Sequence, residues 1–347
     1  MEQQPVYYSD YLQLDKILGA QDPVSFKGDD KAHDEMLFII IHQNYELWFK
    51  QVLFEVQSVI DIMTKPSLDD NAGDLQTIVH RLRRVATIQK LLVQQIDILE
   101  TMTSMDFLDF RDLLRPASGF QSVQFKILEA KLGLQFDNRH GQHYYTSQLN
   151  EKEIKMIKEA EAGASIIQLI NTWLERMPFL KVELYWKEYK SSSDMSAEHP
   201  FWSEYERIYT AGLFEGEKNN AASFKETLLG NGDPANRTLS PAACRSALFI
   251  MIYHGYPMLE QPFQLLQSLI DIDNQLGNWR SRHINMVRRM IGSRVGTGGS
   301  TGAGYLQGAM DKHYIFKELA QLNSFLIDRK KLPKLPGALV EKLGYNF

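Results

Sequence analysis

Two histidines lie on apolar helical faces, where an imidazole could bind a metal or donate a hydrogen bond. His283 stands in RSRHINMVRRMIG, and Trp279 and Val287 share its face at four-residue spacing. His42 stands in DEMLFIIIHQNYELWF, with Phe38 four residues before it. A hydrogen-bonded core histidine would explain either residue alone. The pair, with arginines around His283, favours a haem pocket, which needs an imidazole for the iron, apolar walls and cations for the propionates.

Other metal sites have weaker support in the sequence. His42 and Glu46 are four residues apart, as in carboxylate-bridged di-iron bundles, but no matching Glu-x-x-His pair occurs elsewhere in the chain. His140 and His143 have a spacing typical of paired zinc ligands, but no further ligand stands nearby. A haem-binding module without catalysis, such as a gas sensor, and an all-α scaffold without a cofactor stay open as alternatives.

The segment after His283 is the glycine-rich stretch GTGGSTG, at residues 296–302. A phosphate-binding Walker loop requires a Gly-Lys-Ser/Thr ending, which this stretch lacks. The dinucleotide fingerprint follows a strand, whereas this stretch follows a helical pattern and has Thr301 at the last glycine position. What remains is a plain connection between helices or a loop that brings Thr297, Ser300 and Thr301 towards a ligand.

A third stretch, MDFLDFRDLLRPASGF, places an arginine among aromatic residues. Arg111 follows Phe107 and Phe110, and Pro116 ends the helical run. Such an arginine can extend along the apolar surface to reach water, or stack on a ring. Its planar guanidinium, beside aromatic walls, also suits the carboxylate of an amino acid that carries a flat ring.

The composition is that of a globular protein able to bury a large core. The chain has 347 residues, 44% hydrophobic and 23% charged. Its formal net charge of −5 argues against general nucleic-acid binding, which requires a basic surface. The single cysteine, Cys244, excludes an internal disulfide, and the N-terminal stretch has no apolar segment typical of a secretory signal. Because no apolar run approaches the ~20 residues of a membrane span, we expect a cytoplasmic protein.

Helical periodicity dominates the sequence and predicts an all-α fold. Several helix ends carry recognisable signals. Ser118 and Gln121 form a capping-box pattern, Gly133 is a stop signal, and Ser240 precedes Pro241 as a cap. The predicted helices cover about 33–63, 72–103, 119–132, 150–188, 199–230, 240–254, 262–292 and 303–325.

No linker or repeat divides the chain, so we predict a single domain over 1–347. The prediction is a single-domain helical bundle with a haem pocket and a smaller helical excursion. The excursion, over 188–238, is polar and rich in turns, which indicates a position on the surface. The tyrosine-rich segment 1–20 is predicted to be an N-terminal arm that lies in an interface between subunits.

Four stretches together resemble the tryptophan 2,3-dioxygenase family. They are YYSDYLQLDKIL, HDEMLFIIIHQNYELWFKQ, DFRDLLRPASGFQS and DIDNQLGNWRSRHINMVRRMIGSRVGTGGSTG. They occur in the order in which the family has them. The similarity extends from about Tyr7 to Pro333 and becomes thinner across 188–238.

The resemblance implies specific roles for residues of this chain. His283 would be the axial ligand of the haem iron, and His42 the catalytic histidine facing the indole ring. Arg111 would pair with the substrate carboxylate, and Thr297 would contact the amino-acid end of the substrate. The other implied substrate-binding positions are Phe38 and Phe107, which would wall the indole pocket, Ile39, Ile40 and Ile41, and Tyr8, Tyr11 and Leu12, which the family donates to the neighbouring subunit's pocket.

The resemblance also implies a reaction and an assembly. The expected enzyme is a haem-dependent dioxygenase with one haem b per subunit, which uses O₂ to cleave the indole C2=C3 bond of L-tryptophan. The product would be N-formyl-L-kynurenine, in the first step of tryptophan catabolism by the kynurenine pathway. The expected assembly is a homotetramer with exchanged N-terminal arms. A related enzyme with another indole substrate, or with a monooxygenase outcome, stays open as an alternative.

Overall fold

The computed structural model of the protein describes residues 5–68, 70, 73–140, 147–187, 189, 199–230, 237–294, 296, 307–308, 310 and 312–344. Across these residues the regular structure is helical throughout, without a strand, which confirms the predicted all-α fold. The α-helices are α1 Tyr8–Leu12, α2 Leu14–Leu18, α3 Glu35–Met63, α4 Gly73–Leu99, α5 Ser104–Arg111, α6 Val123–Leu132, α7 Glu151–Ala162, α8 Ile166–Glu175, α9 Pro200–Gly212, α10 Asn220–Phe224, α11 Pro241–Tyr253, α12 Pro257–Ile291, α13 Lys317–Gln321 and α14 Gly337–Leu343.

Shorter helical turns connect these elements. The 3-10 turns are Val24–Lys27, Asp112–Leu114, Gly119–Gln121, Phe136–Asn138, Pro178–Leu180, Glu215–Glu217, Leu322–Phe325 and Arg329–Lys331. Two five-residue turns of π-helix, Val182–Trp186 and Lys225–Leu229, lie at either end of the region around α9 and α10.

The three longest helices, α3, α4 and α12, form the centre of the molecule. Helix α4 packs against both α3 and α12, and α6 packs against α3. Apolar residues at three- and four-residue spacing make this possible, because they form one continuous stripe along each helix. The stripes include Val52 and Val56 on α3, Ile78 and Leu82 on α4, and Leu269 on α12, all of which are fully buried. This centre carries both histidines that the sequence analysis selected.

Local signals set the ends of the helices near these histidines. Helix α5 begins with a capping box, in which Asp106 N–H donates to Thr103 Oγ1 and Thr103 N–H donates to the Asp106 carboxylate. Gly133 ends α6 with φ 134°, where a Cβ would also collide with the Ile167 side chain. The predicted cap at Ser240 is present, and Ser118 caps the 3-10 turn Gly119–Gln121, while Ser122 caps α6.

Several predicted helix boundaries are wrong. The span 150–188 is divided, because α7 ends before Gly163 and the capping box at Ser165 starts a new helix. The span 303–325 is not one helix, since residues 313–316 are non-helical and α13 begins only at Lys317. Helix α12 begins at Pro257 rather than at Pro262, which lies inside it.

The excursion predicted over 188–238 is described at residues 189, 199–230 and 237–238, and its expected surface position is wrong for the aromatic residues of α9 and α10. The side chains of Phe201, Trp202 and Tyr205 on α9 are fully buried, as is Phe224 on α10. The Tyr205 hydroxyl donates to the Phe325 carbonyl oxygen at 2.9 Å. Most polar residues of this segment lie on its outer face, while the aromatic residues of α9 and α10 form part of the core.

Candidate active site

Helices α3 and α5 bring an aromatic cluster together beside His42. The Phe38 ring centroid lies 4.1 Å from the His42 ring, 5.8 Å from Phe107 and 5.5 Å from Phe110. Phe107 and Phe110 are perpendicular, at 5.4 Å between centroids. Phe38 and His42 meet because they are one helical turn apart on α3. The cluster has the flat, apolar walls that an aromatic ligand requires.

His42 is held as a neutral imidazole with a defined proton. Its Nδ1 atom lies 2.7 Å from the Phe38 carbonyl oxygen, so Nδ1–H donates to that oxygen and Nε2 keeps its lone pair. Burial lowers the pKa of His42 below its usual value. The nearby Glu46 carboxylate accepts a hydrogen bond from Gln124 Nε2 at 2.8 Å. Nε2 is therefore the nitrogen of His42 that is available to a ligand.

His283 lies on α12, near enough to His42 for the two imidazoles to interact electrostatically. Burial, and secondarily the nearby His42 imidazole, lower the pKa of His283 to about 4. The ring stacks on Trp279, with centroids 4.9 Å apart and planes inclined by 25°. Its Nδ1 atom is buried and has no hydrogen-bond partner among the residues that the structure describes. A neutral, half-buried imidazole with a ring nitrogen that no described protein group uses is suited to a metal centre.

Arg111 is the last residue of α5 and is 95% buried, at 5% exposure. It directly follows Phe110 of the aromatic cluster. The Ser104 hydroxyl, in the first turn of α5, donates to the Arg289 carbonyl oxygen of α12 at 3.0 Å, which ties the two helices together. A buried guanidinium beside aromatic walls can recognise a carboxylate by paired hydrogen bonds.

The arginines nearest His283 have protein partners. Arg280 Nη2 lies 2.6 Å from Glu129 Oε1. Arg282 Nη2 lies 2.6 Å from Asp97 Oδ1 and 3.1 Å from Glu100 Oε2. Arg280 and Arg282 therefore pair with carboxylates of the protein itself, whereas the sequence analysis had considered the arginines as cations for the propionates.

The remaining predicted positions separate into groups. Ile41 is in the core, Ile39 is half-buried and Ile40 is 41% exposed, because consecutive residues of a helix face different directions. On α1, Leu12 is half-buried, whereas Tyr8 and Tyr11 are each 75% exposed, so neither tyrosine is buried within its own chain. Thr297, Ser300, Thr301 and His143 lie outside the described residues.

Two further observations concern metals and membranes. Among the described residues, no group of three or more His, Cys, Asp and Glu side chains could hold a metal ion. The backbone N–H of His140 donates to His313 Nε2 at 3.0 Å. Of the described helices, none has both the length and the apolar character that a bilayer span requires.

Known proteins resemble the chain over its whole length. The family model for tryptophan 2,3-dioxygenase matches residues 1–326. The chain is 44% identical to the tryptophan 2,3-dioxygenase of Alteromonas mediterranea, over 99% of this chain and 98% of that protein. The chain belongs to the tryptophan 2,3-dioxygenase family. The enzyme of the same name from Dictyostelium discoideum is 43% identical, over 99% of this chain and 90% of that protein. That of Bdellovibrio bacteriovorus is 39% identical over the full length of both chains.

In this member of the tryptophan 2,3-dioxygenase family, two residues of the candidate site, Trp279 and Phe110, had no role assigned from the sequence. Trp279 supports the His283 ring, and Phe110 completes the aromatic cluster. A signal was present for Trp279, since it lies one helical turn before His283 on the same face. For Phe110 the local signal was its position one helical turn after Phe107, but its contact with Phe38 could not be read locally, because the two residues are 72 positions apart in the numbering.

Proposed function

We propose that this protein cleaves the indole C2=C3 bond of L-tryptophan with O₂ to give N-formyl-L-kynurenine, the opening step of tryptophan catabolism. The observation that carries this proposal is membership of the tryptophan 2,3-dioxygenase family over the whole chain. Family membership implies a haem cofactor, with tryptophan and O₂ as substrates. The enzyme is accordingly a haem-dependent dioxygenase.

In this proposal His283 holds the haem, as haem b with one group per subunit. The support comes from its half-buried, neutral imidazole and from the buried Nδ1 atom that no described protein group uses. Stacking on Trp279 restricts the rotation of the ring, so its orientation is set before any cofactor arrives. Haem supplies the chemistry that side chains lack, which is the activation of O₂.

His42 is proposed to bind the indole N–H of the substrate. Its Nδ1–H is used by the Phe38 carbonyl group, so Nε2 is left as an acceptor. A neutral imidazole is far too weak a base to remove the indole proton outright, because efficient proton transfer requires matched pKa values. His42 therefore orients the ring through a hydrogen bond. Phe38 and Phe107 enclose the ring and exclude water, with Ile39, Ile40 and Ile41 on the adjoining part of α3.

Arg111 is proposed to bind the substrate carboxylate, with Thr297 contacting the amino-acid end. The burial of Arg111 strengthens a charge-assisted hydrogen bond, because little water competes for either partner. Anchoring one end of the substrate while the aromatic cluster holds the other fixes the ring in one orientation. A grip on both carboxylate and ammonium also predicts preference for the L enantiomer.

The proposed assembly is a homotetramer of single-domain subunits with exchanged N-terminal arms. The arm residues Tyr8 and Tyr11 expose three quarters of their side-chain area, which is unfavourable for large aromatic residues in a lone chain. Burial of Tyr8, Tyr11 and Leu12 in the pocket of a neighbouring subunit would remove that cost. The proposed location is the cytoplasm.

The test is a product analysis of the haem-loaded, reduced protein with L-tryptophan and air. We expect the absorbance of N-formylkynurenine to appear, with one O₂ consumed per product. A product with a single added oxygen atom would indicate a monooxygenase. A haem absorption band without tryptophan-dependent O₂ consumption would indicate a binding or sensing protein and would refute the proposed reaction.

A further inference from the structure

A small cavity lies in the centre of the molecule, between α3, α4, α6 and α12. Most of its lining is apolar, but Gln89 of α4 and Gln275 and Trp279 of α12 also line it. Its volume allows the centre of a water molecule to occupy about 10 Å³. That is close to the smallest volume that holds one ordered water.

Gln89 lines this cavity, and no described residue makes a hydrogen bond with its side-chain amide. Its side chain is only 3% exposed. Both Nε2 and Oε1 are buried, and neither forms a hydrogen bond within the part of the chain that the structure describes. Burial of an amide is unfavourable when neither its donors nor its acceptor are used, so such groups are almost always satisfied by protein or by ordered water.

The indole N–H of Trp279 faces a similar situation. It is buried and makes no hydrogen bond of standard geometry with the described residues. Burial raises the pKa of the Tyr45 hydroxyl to about 12. The nearby indole N–H of Trp279 acts against this rise. The Tyr45 hydroxyl donates its own proton to the Leu92 carbonyl oxygen at 2.8 Å. No described protein group accepts from the indole N–H with standard hydrogen-bond geometry.

We propose that one structural water is bound in this cavity between the Gln89 amide and the Trp279 indole. The water would accept a hydrogen bond from the indole N–H and donate one to Gln89 Oε1. Gln89 and Trp279 line the same cavity, whose volume suits one water, so both side chains border the space that this water would occupy. A water with two to four such partners is a stable component of a protein core.

The bound water gives Gln89 a role as a positioning residue. It fixes the plane of the Trp279 indole, and that indole stacks on the His283 ring at 4.9 Å. This second step rests on the proposed role of His283 as haem ligand, whereas the water site does not. Gln89 thereby supports the ligand from a distance without contacting substrate or cofactor.

The experiment compares the purified, haem-loaded parent with Gln89→Met, which keeps the side-chain length but removes both polar atoms. Gln76→Met, on an exposed part of α4, is the control. The parent crystal structure should contain a water within hydrogen-bond distance of Gln89 and Trp279. Gln89→Met should lower the thermal midpoint by about 2 °C or more relative to the control, because the water loses its anchor.

Two results would overturn the water site: a parent crystal structure with no water in the cavity, or a Gln89→Met midpoint equal to or above that of the control. The latter follows if the amide has no partner at all, since its removal then relieves a cost. For the positioning role, the iron–histidine vibration should shift in Gln89→Met and stay unchanged in Gln76→Met. An unchanged vibration in both would overturn that role. These readouts do not use turnover, so they are separate from the test of the proposed reaction.

Discussion

Helix α12 carries two polar regions, one at His283 and one three residues earlier at Arg280. They differ in whether their polar atoms already have partners within the protein. His283 faces apolar and aromatic groups, and its Nδ1 atom has no partner among the described residues. Arg280 donates to Glu129 Oε1 at 2.6 Å and to the His313 carbonyl oxygen at 3.0 Å. Arg139 Nη1 donates to Glu129 Oε2 at 2.6 Å. The first region has bonding capacity left for a ligand, and the second has used it within the protein.

Electrostatics show the same difference. Burial lowers the pKa of His283 to about 4, so the imidazole is neutral. Burial also acts to raise the pKa of Glu129, but Arg139, a hydrogen bond from His313 and Arg280 hold it well below its usual range. The Glu129 cluster, which comprises Glu129, Arg139, Arg280 and His313, is thus a charged network that joins α6, α12 and the chain before α13. A histidine beside arginines in sequence therefore does not imply that the two share a function.

The largest expected effect is at His283, in the region of α12 that has bonding capacity left for a ligand. His283→Ala should lose the stably bound haem and with it all turnover, while its circular dichroism stays that of a helical protein. The ratio of haem to protein absorbance after reconstitution measures this. His80→Ala, at an exposed position of α4, is the control and should keep its haem. A fully active His283→Ala protein would remove the basis of the comparison.

The next effect concerns the Glu129 cluster. Glu129→Gln should lower the free energy of unfolding by about 3–5 kcal/mol, since it leaves buried arginines without their counter-charge. Denaturant titration measures the loss, and Glu159→Gln, an exposed carboxylate on α7, should change little. Protein that remains folded should keep an unchanged KM for tryptophan. A large rise in KM at constant stability would place this cluster in the active site instead.

The pH dependence of stability sharpens the structural side of the comparison. Burial raises the pKa of Asp273 to about 6, although the backbone N–H groups of Phe316 and Ile315 act against the rise. The folded state therefore holds a proton that the unfolded state releases near pH 3.8, and this contribution to stability is lost as pH rises through 6.

Asp273→Asn has no such titration. Its stability relative to the parent should therefore rise by about 2–3 kcal/mol between pH 4 and pH 7. Chemical denaturation at a series of pH values gives this difference directly. A difference that is constant over the whole range would show that the carboxyl group is not raised in pKa by the fold.

A smaller effect is expected at the substrate end of the pocket. Arg111→Ala should reduce kcat/KM by roughly ten- to a hundredfold, mainly through KM, because one charge-assisted contact is removed. Bound haem should be retained, and the preference for L- over D-tryptophan should decrease. Arg115→Ala, at a half-exposed arginine nearby, serves as the control in steady-state kinetics. Loss of haem in Arg111→Ala would contradict its assigned role.

The smallest effect is expected at His42. Removal of one neutral hydrogen bond to the indole N–H should reduce kcat by up to about tenfold, without abolishing turnover. His42→Ala in single-turnover measurements tests this, with 1-methyltryptophan as a matched substrate that lacks the N–H. The parent should discriminate between the two substrates more strongly than the variant does. Complete inactivity of His42→Ala would indicate an obligatory proton transfer instead.

Much of the site could be predicted from local patterns. The spacing of Phe38 and His42 within α3, and of Trp279 and His283 within α12, follows from helical periodicity alone. The surface position predicted for the excursion at 188–238 was wrong for its buried aromatic residues, because that prediction rested on composition. Polar residues dominate the composition, but the burial of Phe201 depends on partners such as Phe249, elsewhere in the chain.

The sequence by itself determined the all-α class, several helix caps and the residue types able to bind iron, an indole ring and a carboxylate. The helical class and the caps depend on interactions between residues a few positions apart, and the residue types are read directly from the sequence. Only the tertiary structure decided that Arg280 serves Glu129, that Arg111 is buried beside the aromatic cluster, and that Gln89 and Trp279 line one cavity. The physical reason is that the partner of a buried polar group comes from a distant segment that packs against it, and no local pattern in the sequence identifies that segment.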